Sequence, residues 1–182
     1  MDDTLSVADL VRRLATGSRL ECIQAAKELA ERQDRTVLSE VTDVLQRGES
    51  GHAREMAAWL LGELSPGTDL TLEALHATIL DMSAPESLRG QAIESLGNQV
   101  CHLTEGEVYE RAADVLIPLL QEPSVEILYN AAFALGAMRC RRARSELMRL
   151  AAHDHRKYKG LETISENAQF SIECIDYEPH GR

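Results

Sequence analysis

Residues 52–64 read HAREMAAWLLGEL, His52 to Leu64. An alanine pair, a leucine pair and Gly62 follow one another at helical spacing, and the chain's only tryptophan, Trp59, stands among them. The motif Arg54-x-x-Ala57-Ala58-x-x-Leu61-Gly62 returns 35 residues later as Arg89-x-x-Ala92-Ile93-x-x-Leu96-Gly97. It returns again 39 residues beyond that as Leu128-x-x-Ala131-Ala132-x-x-Leu135-Gly136. Upstream by 32, Cys22-x-x-Ala25-Ala26-x-x-Leu29-Ala30 fits without the glycine, and Ser165-x-x-Ala168-Gln169-x-x-Ile172 is a degenerate last copy. Clear inner copies with atypical ends mark stacked helical repeats.

Between these segments lie others with apolar residues three and four apart. They run Val7, Leu10, Val11, Leu14; Val37 to Leu45; Leu72, Leu75, Ile79; Val108 to Leu119; and Leu147, Leu150, Ala151. That period is an amphipathic helix. Breaks fall at Gly17, at 48–51, at Ser65-Pro66-Gly67, at Ser83-Ala84-Pro85, at 121–124 and from His153 to Gly160. Pro118 falls inside one helical pattern and predicts a kink there. The expectation is five antiparallel helix pairs and no sheet, with repeats at about 5–32, 35–64, 69–99, 104–138 and 141–176. A tail follows at 177–182, and residues 1–182 make one domain.

The run from Ala113 to Met138, ADVLIPLLQEPSVEILYNAAFALGAM, resembles a HEAT repeat. SGHAREMAAWLLGEL and ESLRGQAIESLG resemble the shorter HEAT-like repeats of phycobilisome-lyase type. The resemblance implies an all-α fold, a right-handed α-solenoid whose second helices line a concave surface. Gly62 then has a packing role, as a position without a side chain where a neighbouring helix comes close. Enzymes occur on this scaffold. The di-iron deoxyhypusine hydroxylases use His-Glu pairs as metal ligands, and none of the six histidines here is followed by glutamate. A bilin lyase or isomerase, with the chromophore against an aromatic concave face, is the alternative function that the resemblance carries.

Composition narrows the class further. The net charge is −11, and residues 139–159 hold eight basic side chains against Glu146 and Asp154, a local +6 that leaves −17 elsewhere. An acidic body argues against nucleic acid as partner and favours a basic protein, or self-association through the basic C-terminal end. An acidic start without an apolar run, and no membrane-length apolar stretch, predict a cytoplasmic protein that does not span a membrane. Cys22, Cys101, Cys140 and Cys174 lie far apart without a CxxC pair and read as reduced thiols. Cys101 and Cys140 each fall four residues after a repeat glycine, where helix spacing of roughly 10 Å keeps them unbridged. His153-Asp154-His155, with Cys140 or Cys174, has the residue types of a metal site but reads as an inter-helix loop. No catalytic residues, no metal and no cofactor are predicted.

The remaining question is where Trp59 points. At 100° per residue, Ala53, Ala57, Leu60, Leu61 and Leu64 share the packed face, while Glu55, Trp59 and Glu63 lie opposite. The same repeat position holds Lys27, Trp59, Glu94, Phe133 and Phe170, which gathers the only tryptophan and both phenylalanines into one column. Tyr129 stands one turn from Phe133. These rings, with Glu55, Glu63, Glu94, Glu126 and Glu166, are the predicted partner-binding residues. Large exposed rings ringed by acids suit a hot-spot surface for a basic protein. The function predicted is therefore a non-enzymatic protein-binding module, in its sharper form an inhibitor or immunity protein that neutralises a basic toxin domain.

Overall fold

The computed structural model describes residues 5–160 and 162–177. Among them are ten α-helices and no strand, only an isolated bridge between Lys157 and Thr163. They divide into two compact units, 1–95 and 96–182. The first holds α1 (Val7–Thr16), α2 (Arg19–Arg32), α3 (Leu38–Arg47), α4 (Gly51–Glu63), α5 (Asp69–Leu80) and most of α6 (Glu86–Val100). The second holds the end of α6, then α7 (Glu107–Leu116), α8 (Val125–Ala137), α9 (Arg144–His153) and α10 (Ile164–Asp176).

Local chemistry starts these helices where the sequence places the breaks. Ser6, Ser18, Ser50, Thr68, Ser124 and Thr163 each accept a hydrogen bond from a first-turn backbone N–H. Ser18 with Glu21, and Thr163 with Glu166, close full capping boxes. Pro118 corrects the expected kink. α7 stops at Leu116 and the chain tightens into a 3-10 turn over Ile117–Gln121, with the proline in its first turn. A residue without an N–H costs least there.

In the first unit α1 packs on α2, α3 on α4, α2 on α4 and α3 on α5. In the second, α7 packs on α8, α9 on α10 and α8 on α10. Leu29, Leu61, Leu96 and Leu135, one from each well-formed motif, are all fully buried. The glycines behave as the repeat predicts. A Cβ on Gly62 would stand 3.0 Å from the Cα and Cβ of Ser95; one on Gly97 would stand 2.7 Å from the Cβ of Ala134. One on Gly136 would stand 2.7 Å from the Cβ of Ser171. These glycines are contact points.

The first position of the motif has its own task. The Cys22 thiol lies 3.3 Å from the carbonyl oxygen of Leu14, and Arg54 Nε donates to that of Leu45 at 2.9 Å. Arg89 Nε donates to Ile79 at 2.9 Å, and Ser165 Oγ to Ala151 at 2.5 Å. Each acceptor lies in the last turn of the preceding helix, where carbonyls lack intrahelical partners. Three side-chain chemistries thus fill one role. It also explains how Arg89 can be only 4% exposed.

Candidate functional site

Helices α8 and α10 pack together in the second unit and set their off-core positions around a shared hollow. α8 contributes Tyr129 and Phe133, one turn apart; α10 contributes Glu166, Asn167 and Phe170, and Glu162 joins from just before its cap. The volume is about 540 Å³. Phe133 is 37% exposed and Phe170 52%, because Ala131, Ala132 and Leu135 on α8, and Ala168 and Ile172 on α10, take the packed sides. Open apolar rings beside carboxylates are the features of a contact surface.

The rim shows how this surface treats a cation. Tyr129 stacks on Tyr158, with ring centroids 4.5 Å apart and planes at 27°. Tyr158 donates its hydroxyl to Glu126 at 3.2 Å, and Lys159 Nζ lies 2.7 Å from the same carboxylate and 4.9 Å from the Tyr158 centroid. The carboxylate and the phenol hold the Lys159 proton more firmly than usual. Glu126 is therefore occupied by a lysine of the chain itself. Glu166 commits Oε2 to the backbone N–H and hydroxyl of Thr163, at 2.7 and 2.8 Å, and these bonds hold its pKa below the usual carboxylate value.

The other predicted residues stand in the first unit. Trp59 is half-buried on α4, one turn from Glu55 and one turn from Glu63. Glu55 accepts from the Ser87 hydroxyl at 2.5 Å. Glu94 is half-buried on α6, and burial, followed by repulsion from Glu63, pushes its pKa up; a hydrogen bond from Gln91 opposes this. Two carboxylates that repel at a partly dry surface lower their energy when a cation arrives. Tyr129, Phe133, Phe170 and Glu166 therefore share one hollow, and Glu63 and Glu94 make a separate acidic pair.

The basic stretch is largely neutralised within its own unit. Arg142 pairs with Glu110 at 2.5 Å and Asp114 at 2.7 Å, Arg144 with Asp176, Arg149 with Glu146, Arg156 with Asp154, and Lys159 with Glu126. Arg139 lies 5.5 Å over the ring of Tyr177. Four carboxylates from α7, α8 and α10 thus offset most of the +6 read from the sequence. His153 and His155 flank an Asp154 bound to Arg156, and the described residues contain no group of three His, Cys, Asp or Glu able to hold a metal. All four cysteines are free thiols; Cys22 and Cys140 are buried, and burial raises the Cys22 pKa.

Four residues of this site escaped the periodicity: Tyr158, Lys159, Glu162 and Asn167. The first three lie on the link between α9 and α10, where no repeat places them. Asn167 did leave a signal. Its repeat position holds Gln24, Met56, Gln91, Asn130 and Asn167, a recurrent amide next to the buried alanine.

A family model of the PBS lyase HEAT-like repeat matches residues 127–153, spanning most of α8 and all of α9. That segment is a HEAT-like repeat. The fold is similar to that of a chain in the complex of CpcE and CpcF of phycocyanin lyase from Nostoc sp. PCC7120. That match has a TM-score of 0.72 and 17% identity, covering 91% of this chain and 96% of that one. An engineered protein matches with a TM-score of 0.58 at 19% identity, over 94% of this chain and 80% of that one. A designed armadillo repeat protein in complex with the peptide (KR)4 matches with a TM-score of 0.54 at 16% identity, over 93% and 82%. No curated protein matches the sequence significantly. No helix among the described residues is long and apolar enough to cross a membrane.

Proposed function

We propose that this HEAT-like protein is a non-catalytic binding module that holds a basic segment of a protein partner in the hollow on α8 and α10. The carrying observation is the hollow itself, in which three aromatic rings and two carboxylates converge on open space. Rings attract cations through their faces and give contact area at low entropic cost, while carboxylates orient the charge. The rim already holds one cation this way, since Lys159 sits on Glu126 against Tyr158. A net charge of −11 favours encounter with basic surfaces. The likeness to a designed armadillo repeat protein bound to (KR)4 supports a fold able to carry such a peptide. Glu63, one turn from Trp59 on α4, and Glu94, which it repels, offer a second contact in the first unit.

The test is binding of a fluorescent octapeptide of alternating lysine and arginine, followed by anisotropy across a salt series. Binding that weakens with salt and is lost in Phe170→Ala supports the reading. No binding at low salt, or equal binding by Phe170→Ala, refutes it. In the sharper form the basic segment belongs to a toxin domain, and mixing the two proteins abolishes the toxic activity.

One observation favours a second reading. One chain of the phycocyanin lyase complex is covered over 96% of its length, so a bilin is an alternative occupant. A shift in the absorbance of a linear tetrapyrrole on mixing, removed by Phe170→Ala, would replace the peptide reading with that one.

A further inference from the structure

The hollow contains one atom that helix packing does not explain. Asn167 is 2% exposed, yet its side-chain oxygen accepts no hydrogen bond. One repeat earlier the equivalent amide is tied to its own helix, where Asn130 Nδ2 donates to the backbone carbonyl of Glu126 at 2.8 Å. Buried acceptors without donors cost stability and are rare in folded proteins. Here the orphan belongs to a residue that lines open space, among rings and carboxylates. The oxygen is itself buried, so a turn of the side chain brings this acceptor to a donor that arrives in the hollow with a ligand.

The geometry points to an arginine-selective subsite. The guanidinium of a partner's arginine lies on the face of Phe133 or Phe170 and divides its N–H groups between Glu162 or Glu166 and the side-chain oxygen of Asn167. This rests on the proposed function and names the side chain that the hollow selects.

Three features separate arginine from lysine here. A guanidinium is planar and weakly hydrated, so it stacks on a ring at less cost than a compact, strongly hydrated ammonium. Its five donors form a fixed fork that reaches an ionised and a neutral acceptor together. The carboxylates answer to charge, whereas the amide oxygen answers only to a correctly placed N–H. Glu166 has Oε1 available for this, because Thr163 binds Oε2. At about 540 Å³ the hollow has room for flanking residues as well.

The experiment compares octa-arginine with octa-lysine, which carry equal charge, by isothermal titration against wild-type, Asn167→Leu and Phe170→Leu proteins. Wild-type protein should bind octa-arginine about tenfold more tightly, the scale of one hydrogen bond to a charged group. In Asn167→Leu that ratio should fall to about threefold or less, with octa-lysine affinity unchanged. The melting temperature of this variant should not drop, because the substitution removes an unsatisfied acceptor. Phe170→Leu alters an exposed position that folding does not need, and should lower the ratio by removing the stacking face. Equal affinity for both peptides in wild-type protein overturns arginine selection while leaving the basic-segment reading intact. A ratio unchanged in both variants also overturns the subsite. If neither peptide binds, the proposed function fails and the subsite fails with it.

Discussion

Replacing Gly62 by alanine tests whether the repeat glycines are contact points. The new Cβ would stand 2.9 Å from the Ser95 hydroxyl oxygen and 3.0 Å from the Ser95 Cα. The hydroxyl could rotate away, but the Cα is backbone of α6, so two helices must separate by a few tenths of an ångström. Overpacking of this kind costs about 1–3 kcal/mol. The better helix propensity of alanine returns up to about 1 kcal/mol. Backbone contact places the clash in the upper half of its range, which leaves a net loss of about 1–2 kcal/mol. At a slope near 2 kcal/mol/M, the urea midpoint falls by about 0.5–1 M. Gly51 supplies the control: it is helical, but a Cβ there meets nothing within 4 Å, so Gly51→Ala should hold its midpoint or gain slightly. Adding Ser95→Gly to Gly62→Ala removes two of the three close atoms and should recover part of the loss, a coupling that a double-mutant cycle measures. Urea melts of all the variants by circular dichroism are the assay. Equal midpoints for Gly62→Ala and Gly51→Ala would refute the close-approach argument.

Phe133→Ala should weaken binding of a basic octapeptide by about 2 kcal/mol. Its stability should fall far less than the roughly 3–5 kcal/mol of an emptied core aromatic site, so titration and melts on one sample settle the point. Glu94 has its pKa raised in the fold, so its contribution to stability is present below its unfolded pKa and is lost as pH rises through the folded one. Glu94→Gln should therefore be the more stable protein at neutral pH and lose that advantage in acid; a pH series of melts in which the two curves run parallel would contradict this. A thiol reagent should label Cys101 first in the native protein and all four cysteines after denaturation without reductant, since Cys22 and Cys140 are buried. Fast native labelling of Cys140 would show that the packing around α9 is looser than described.

Most of the fold was legible because helix packing repeats. Leu61, Leu96 and Leu135 are interchangeable in sequence and equally buried in space, while the off-core column has Lys27, Phe133 and Phe170 exposed but Trp59 and Glu94 half-buried. What periodicity could not supply was contact made by irregular chain. Tyr158 and Lys159 reach Tyr129 and Glu126 from a link whose conformation depends on Asp154, Ser165 and the Lys157–Thr163 bridge. Charge was misleading for a similar reason. Arg142 and Arg144 are adjacent in a basic run, yet their partners stand 28 to 32 residues away in α7 and α10. A helical wheel sees one helix at a time, so it finds a column but not the carboxylate that faces it. It also could not distinguish Asn130, whose amide nitrogen is bonded within its own helix, from Asn167, whose buried amide oxygen accepts no bond.

The aromatic residues also divide the molecule optically. Trp59 lies in the first compact unit, whereas Tyr109, Tyr129, Tyr158 and Tyr177 all lie in the second. Red-edge excitation therefore reports on residues 1–95, and the tyrosine component resolved in the second-derivative absorbance spectrum reports on residues 96–182. A single unlabelled sample can show whether the two units melt together, and a ligand that perturbs only the tyrosine signal has announced which unit it occupies.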